Sequence, residues 1–211
     1  MGNPRYRNGF NVTLHEDQLS LPLRWREPRV VFVNSMSDLF HDDVPDEFID
    51  AVFATMEAAE LHTFQVLTKR PGRMASWTRR FRPAPLPNVW LGTSVEDQRW
   101  ANVRVPILLE TPAAIRFLSC EPLLGPVTLT RWLASGELHW IIAGGESGQA
   151  HRPILPGWIR TLRDQCRATG VPFFFKQWGG RTAKAGGRIL DKRTWDEMPV
   201  SPKSAQREAI P

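Results

Sequence analysis

Six short apolar runs recur along the chain, and each stops at a polar cluster. Val30-Val-Phe-Val33 leads into Asn34-Ser-Met-Ser-Asp38, Phe64-Gln-Val-Leu67 into Thr68-Lys-Arg-Pro71, and Val89-Trp-Leu91 into Gly92-Thr-Ser-Val-Glu96. Ile115-Arg-Phe-Leu118 leads into Ser119-Cys-Glu-Pro122, Trp140-Ile-Ile-Ala143 into Gly144-Gly-Glu-Ser-Gly148, and Phe173-Phe-Phe175 into Lys176-Gln-Trp-Gly179. Strands that are apolar throughout, rather than alternating, are those of a parallel sheet covered on both faces. The runs start roughly 24–34 residues apart, which leaves one helix between consecutive strands.

The intervening segments carry helix signals. Apolar residues at 48, 49, 52, 53 and 56 have helical spacing behind Asp46, a candidate N-cap. Further helices are expected over 72–81, from Glu96 to about Leu109 and from Gly157 to Gly170, with a short helix or turn over 130–133. Thr93-Ser-Val-Glu96 matches a capping box for the helix that starts at Glu96. A doubly wound sheet gathers its polar residues at one switch point, whereas here all six strand ends are polar. The fold class is therefore α/β, a partial (β/α) barrel of about six parallel strands with its chemistry across the C-terminal mouth. Residues 1–198 are read as one such domain and 199–211 as a disordered tail.

At 211 residues with 42% hydrophobic and 23% charged side chains, the chain suits one globular core. No apolar run approaches the roughly 20 residues that a membrane helix needs, and the N-terminus has no signal-peptide pattern. A cytoplasmic protein without a membrane partner is expected. Two cysteines, Cys120 and Cys166, make neither a disulfide framework nor a metal site by spacing. Net charge +5 permits a polyanionic partner, nucleic acid or a phosphorylated substrate.

Glu96, Glu121 and Glu146 all follow strands, where a carboxylate can act as a base, accept a ligand's amine or hydroxyl, or hold a metal. Glu96 is read as a cap, and Glu121 and Glu146, which precede no immediate helix, as functional. Gly144-Gly145 permits close backbone approach. Lys69, Arg70 and Lys176 offer positive charge to a carboxylate or phosphate. Asp38, His41, Asp42 and Asp43 have no ligand spacing, so no metal site is expected. Trp178 stands at a strand end, suited to walling a ring-bearing ligand.

Pro22-Leu-Arg-Trp-Arg26, Phe32-Val-Asn-Ser-Met-Ser-Asp-Leu-Phe-His41, Phe64-to-Pro71, Val89-Trp-Leu-Gly92 and Arg116-Phe-Leu-Ser119 carry a further signal, as do Glu121-Pro-Leu-Leu124, Gly144-to-Gly148 and Phe173-to-Gly179. Through these the chain resembles a bacterial and phage-type protein family of unknown function with an N-terminal three-cysteine motif, taken to be related to radical SAM enzymes. The resemblance implies an iron–sulfur cluster (4Fe-4S) and S-adenosylmethionine in the full-length family form. This chain begins after the cysteine segment, so the expectation is a radical SAM-like body that lacks its first strand, exposes a sheet edge and holds no cofactor alone. On that reading Gly144, Gly145, Glu146 and Ser147 face the cofactor, and Glu121, Lys69 and Lys176 are the catalytic candidates. Ser35, Thr68, Ser94, Gln177 and Trp178 line the substrate side. Two other readings stay open: a non-catalytic nucleic-acid-binding module, and a metal-dependent hydrolase or transferase using the rim carboxylates.

Overall fold

The computed structural model describes residues 8, 9, 11–34 and 37–200. Its sheet comprises β1 (Val30–Val33), β2 (Thr63–Thr68), β3 (Val89–Ser94), β4 (Ile115–Cys120), β5 (Trp140–Gly144) and β6 (Phe173–Gln177). All pairings are parallel, and the strands lie side by side in the order of the chain. The returns are made by helices α1 (Asp46–Ala58), α2 (Pro71–Phe81), α3 (Gln98–Leu109), α4 (Thr130–Leu133) and α5 (Pro156–Thr169). A doubly wound sheet reverses its strand order at a switch point, and this one never does. It is a half-barrel of six parallel strands flanked by helices.

From β2 to β6, period-two alternation divides the strands between two apolar environments. On the helix side Phe64, Val66, Leu91, Leu118, Ile141, Phe173 and Phe175 join Phe53, Met74, Val105, Ile159 and Leu162 in one core. On the concave side Trp90, Ile115, Phe117, Trp140 and Ile142 form a second cluster, edged by Leu67 and Phe174. The Trp140 ring lies 5.8 Å from Trp90, 5.8 Å from Phe117 and 5.9 Å from Phe174. These edge-on and tilted contacts each add about 0.5–1.5 kcal/mol to what burial contributes. The interior of the half-barrel is thus an aromatic floor, which explains why the strands read as unbroken apolar runs.

Two helix starts differ from the sequence expectation. Asp46 is the first residue of α1 rather than its cap, and its carboxylate takes Arg73 at 3.0 Å. At α3 the cap is Asp97, whose Oδ1 accepts the Trp100 N–H at 3.0 Å. Thr93 is still strand there, because Gly92, Thr93 and Ser94 pair with Phe117, Leu118 and Ser119. The ladder to β4 overrides the local capping pattern, and Glu96 is left free for another role. Gly170 ends α5 in the left-handed conformation, φ 72°, as its place in the sequence suggests.

The two edges of the sheet are finished differently. Along β6, Phe175 donates to the Trp195 carbonyl at 2.9 Å and Glu197 to the Phe173 carbonyl at 3.3 Å. That strap is set up by a tight turn between Leu190 and Arg193, with Asp191 and Lys192 at φ 51° and 67°, the type I′ pattern. Along β1 no such cover exists among the described residues, and Val30 and Phe32 are 58% and 41% exposed. The exposed edge expected from the sequence is therefore at β1. No helix is long and apolar enough to cross a membrane among the described residues.

Candidate binding site at the C-terminal mouth

Above the aromatic floor, the same alternation turns polar side chains into the concavity. Ser94 and Ser119 are register partners two residues beyond Gly92 and Phe117. Lys69 follows Thr68, the partner of Thr93, and so stands beside Ser94. One level higher come Glu96, Glu121, Gly144 and Lys176. Residues singled out in the sequence therefore share this mouth, among them Lys69, Ser94, Glu96, Glu121, Gly144, Ser147, Lys176 and Gln177.

On its β2–β3 side the mouth is built around Glu96. Lys69 Nζ lies 2.9 Å from its Oε1 and Arg104 Nη1 2.8 Å from its Oε2. Arg104 is buried, also donates to the Ser94 carbonyl at 2.9 Å, and stacks 3.9 Å over the Trp100 ring. Glu96 is therefore held by a helix cation from below, while the side chain of its other partner, Lys69, is 57% exposed. Beside them, Asp38 knots the β1 and β2 loops together. It accepts from Thr68 Oγ1 at 2.7 Å, Lys69 N at 3.1 Å and Arg70 Nη1 at 3.2 Å. Thr68, expected to face substrate, is 1% exposed and engaged in that knot. Ser35 lies outside the described residues.

On the β4–β6 side, Glu121 Oε2 pairs with Lys176 Nζ at 2.9 Å, and its Oε1 accepts from Gln177 Nε2 at 3.1 Å. Gln177 reaches on to Ser147 Oγ at 2.9 Å. Four residues from three strand ends thus converge in one polar network. Glu121 is 16% exposed in its side chain and Lys176 55%, so the carboxylate is the fixed member and the ammonium the movable one.

The two glycines serve the chain's own backbone. An ideal Cβ at Gly144 would lie 3.2 Å from Glu121 Oε1, so its absence makes room for that carboxylate. At Gly145 a Cβ would lie 2.0 Å from the Trp178 carbonyl oxygen. The close approach lets Gly145 donate to the Gln177 carbonyl and Gly180 to that of Glu146, both at 2.9 Å. Glu146 itself is clamped by Arg152, which donates Nη2 to Oε1 at 2.7 Å, and Nε and its own backbone N–H to Oε2 at 2.9 and 2.7 Å. Those hydrogen bonds hold its carboxyl well below the usual range, at about 2. Trp178 packs edge-on against Phe175, at 4.8 Å, and its indole N–H donates to the Ile189 carbonyl at 2.8 Å.

Cys120 and Cys166 are both buried in the core, on β4 and α5, and burial pushes both thiols up, Cys166 to about 12. Neither is the thiolate that an iron–sulfur cluster requires. Among the described residues no group of three His, Cys, Asp or Glu side chains is placed to hold a metal. The described residues thus supply no ligand set for that cluster.

Three participants escaped the sequence. Arg104 and Arg152 are brought to their glutamates by α3 and by the loop after β5, and no spacing rule marks them. Ser119 was within reach, since alternation from Ile115 through Phe117 places it inside. No curated protein and no solved structure matches the chain. Residues 2–199 match a family described as a protein of unknown function, DUF5131, and the chain belongs to that family.

Proposed function

We propose that this half-barrel is the ligand-binding body of an enzyme, and that its mouth takes a small molecule bearing both an ammonium and a carboxylate. S-adenosylmethionine, implied by the likeness to radical SAM enzymes, is such a molecule. The observation that carries this reading is the Glu121–Lys176 pair, 2.9 Å apart at the mouth. A zwitterionic amino-acid group can open that pair and satisfy both ends, its ammonium on Glu121 and its carboxylate on Lys176. Charge is conserved in the exchange, and the new contacts are charge-assisted hydrogen bonds. Gln177 and Ser147 keep the carboxylate of Glu121 oriented as Lys176 swings away. When bound, S-adenosylmethionine supplies a sulfonium that activates its attached carbons.

The rival readings gain less. A nucleic-acid face on the arginine-rich α2 is weakened because Arg73, Arg79 and Arg82 pair with Asp46, Glu110 and Asp50. A metal held by the rim carboxylates would have to displace Arg104 and Lys69 from Glu96 and Lys176 from Glu121.

Equilibrium dialysis of labelled S-adenosylmethionine against the wild-type chain and Glu121→Gln tests the proposal. The variant should bind at least about tenfold more weakly, the worth of one hydrogen bond to a charged group. Equal retention by both, or none by the wild type at millimolar ligand, removes it.

A further inference from the structure

The floor of the mouth holds two hydroxyls that the chain itself does not use. Ser94 and Ser119 are only 3% and 5% exposed, and they sit opposite one another on adjacent strands. Neither side-chain oxygen has a hydrogen-bond partner among the described residues. Neither oxygen is sealed off, so each hydroxyl is open to the mouth and free to donate to whatever enters it. Lys69, one residue beyond the end of β2, continues the same row; its exposed ammonium pairs with Glu96 and has three N–H groups to share. Lys69, Ser94 and Ser119 therefore belong to three consecutive strand ends, whose backbones run about 5 Å apart.

Charge decides what they would receive. Three cations, Lys69, Arg104 and Lys176, face two carboxylates, Glu96 and Glu121. The surplus positive charge belongs to the Lys69–Glu96–Arg104 group, and within it only the Lys69 ammonium is exposed. The Glu121–Lys176 pair is balanced, as is Asp38–Arg70 beside Lys69. We infer that Lys69, Ser94 and Ser119 form an oxyanion subsite that takes the phosphoryl group of a phosphorylated substrate. Three donors arriving from three strands suit the three oxygens of a phosphate monoester better than the two of a carboxylate. A point-charge lysine with neutral hydroxyl donors is a common phosphate environment.

The inference rests on the same mouth as the proposed function, placing substrate on the β2–β4 side and the amino-acid group on the β4–β6 side. The two are separable by experiment. Inorganic phosphate is titrated at low ionic strength into wild type, Ser94→Ala/Ser119→Ala, Lys69→Met and Glu121→Gln, followed by calorimetry and by phosphorus NMR line width. Wild type should bind phosphate, and the double alanine and Lys69→Met variants should lose about tenfold or more in affinity. Glu121→Gln, which only removes a negative charge, should bind phosphate as well as or better than wild type while losing S-adenosylmethionine. The alanines remove no hydrogen bond within the described residues, so that variant should melt close to the wild-type temperature. Acetate in place of phosphate should bind more weakly. Unchanged phosphate binding in the double alanine variant overturns the subsite, as does no binding by wild type. Acetate binding as tightly as phosphate overturns the phosphoryl assignment. Loss of phosphate in Glu121→Gln would move the anion to the other side of the mouth and overturn it too.

Discussion

One added methyl at Gly145 separates two roles for the glycine pair: closing the chain on itself, or admitting a ligand. An ideal Cβ there lies 2.0 Å from Trp178 O and 2.6 Å from its carbonyl carbon. Both obstacles are backbone, so no rotamer change relieves them. Restoring ordinary contact means parting the β5 and β6 extensions by roughly 1.4 Å. Three hydrogen bonds span that seam: Gly145 N to Gln177 O, Gly180 N to Glu146 O and Gly148 N to Gly180 O, each 2.9 Å. At about 1 kcal/mol net apiece, their loss costs about 3 kcal/mol. For a chain of this size that corresponds to a melting temperature lower by about 6–12 °C. Gly144→Ala is the control, because its Cβ would meet the Glu121 side chain at 3.2–3.3 Å, which can yield by a few tenths of an ångström. It should cost under about 1.5 kcal/mol and act mainly on ligand binding through Glu121. Circular-dichroism melts and urea titrations of the two variants read the difference. Gly145→Ala melting within about 2 °C of wild type, or less damaged than Gly144→Ala, would refute the seam argument.

Other outcomes follow from the charged groups. Arg104→Met leaves Glu96 buried with only the exposed Lys69 and breaks the bond to Ser94 O, so it should destabilise by about 3 kcal/mol in urea unfolding, and adding Glu96→Gln should restore part of that. Glu146, held at about 2 by Arg152, has a folded pKa below its unfolded one. Its contribution is therefore present above about pH 4.3 and fades as pH falls toward 2, and Glu146→Gln should flatten the stability profile in that window. His139 is shifted down by burial and by Arg116, while its Nδ1 accepts the Arg116 N–H at 3.0 Å. The native state thus resists its protonation, stability should decline as pH drops through about 6.5, and an NMR titration of the His139 ring should show a midpoint below that value.

The half-barrel was legible because its physics is local and repeated. Each buried strand had to be apolar on both faces, and each had to end where the sheet meets the mouth. Each of those ends carries a polar cluster, which is why Lys69, Ser94, Glu121 and Lys176 could be singled out by position. What could not be read was set by partners distant in the chain. Glu96 matched a capping box, yet β4 keeps Thr93 in the ladder and α3 supplies Arg104 instead. Gly145 had the look of a ligand contact, and the segment that approaches it is Trp178, thirty-three residues later and brought there only by pairing of β5 with β6. Trp178 stood at a strand end, but the returning loop at Ile189 accepts its indole N–H.

The central claim is that the mouth reads an amino-acid group with Glu121 and Lys176. Its most direct test compares S-adenosylmethionine with its decarboxylated analogue, by calorimetry, on wild type and Lys176→Met. If Lys176 meets the carboxylate, the variant should weaken S-adenosylmethionine about tenfold and leave the decarboxylated analogue almost unchanged. Equal weakening of both ligands, or of neither, would contradict the account.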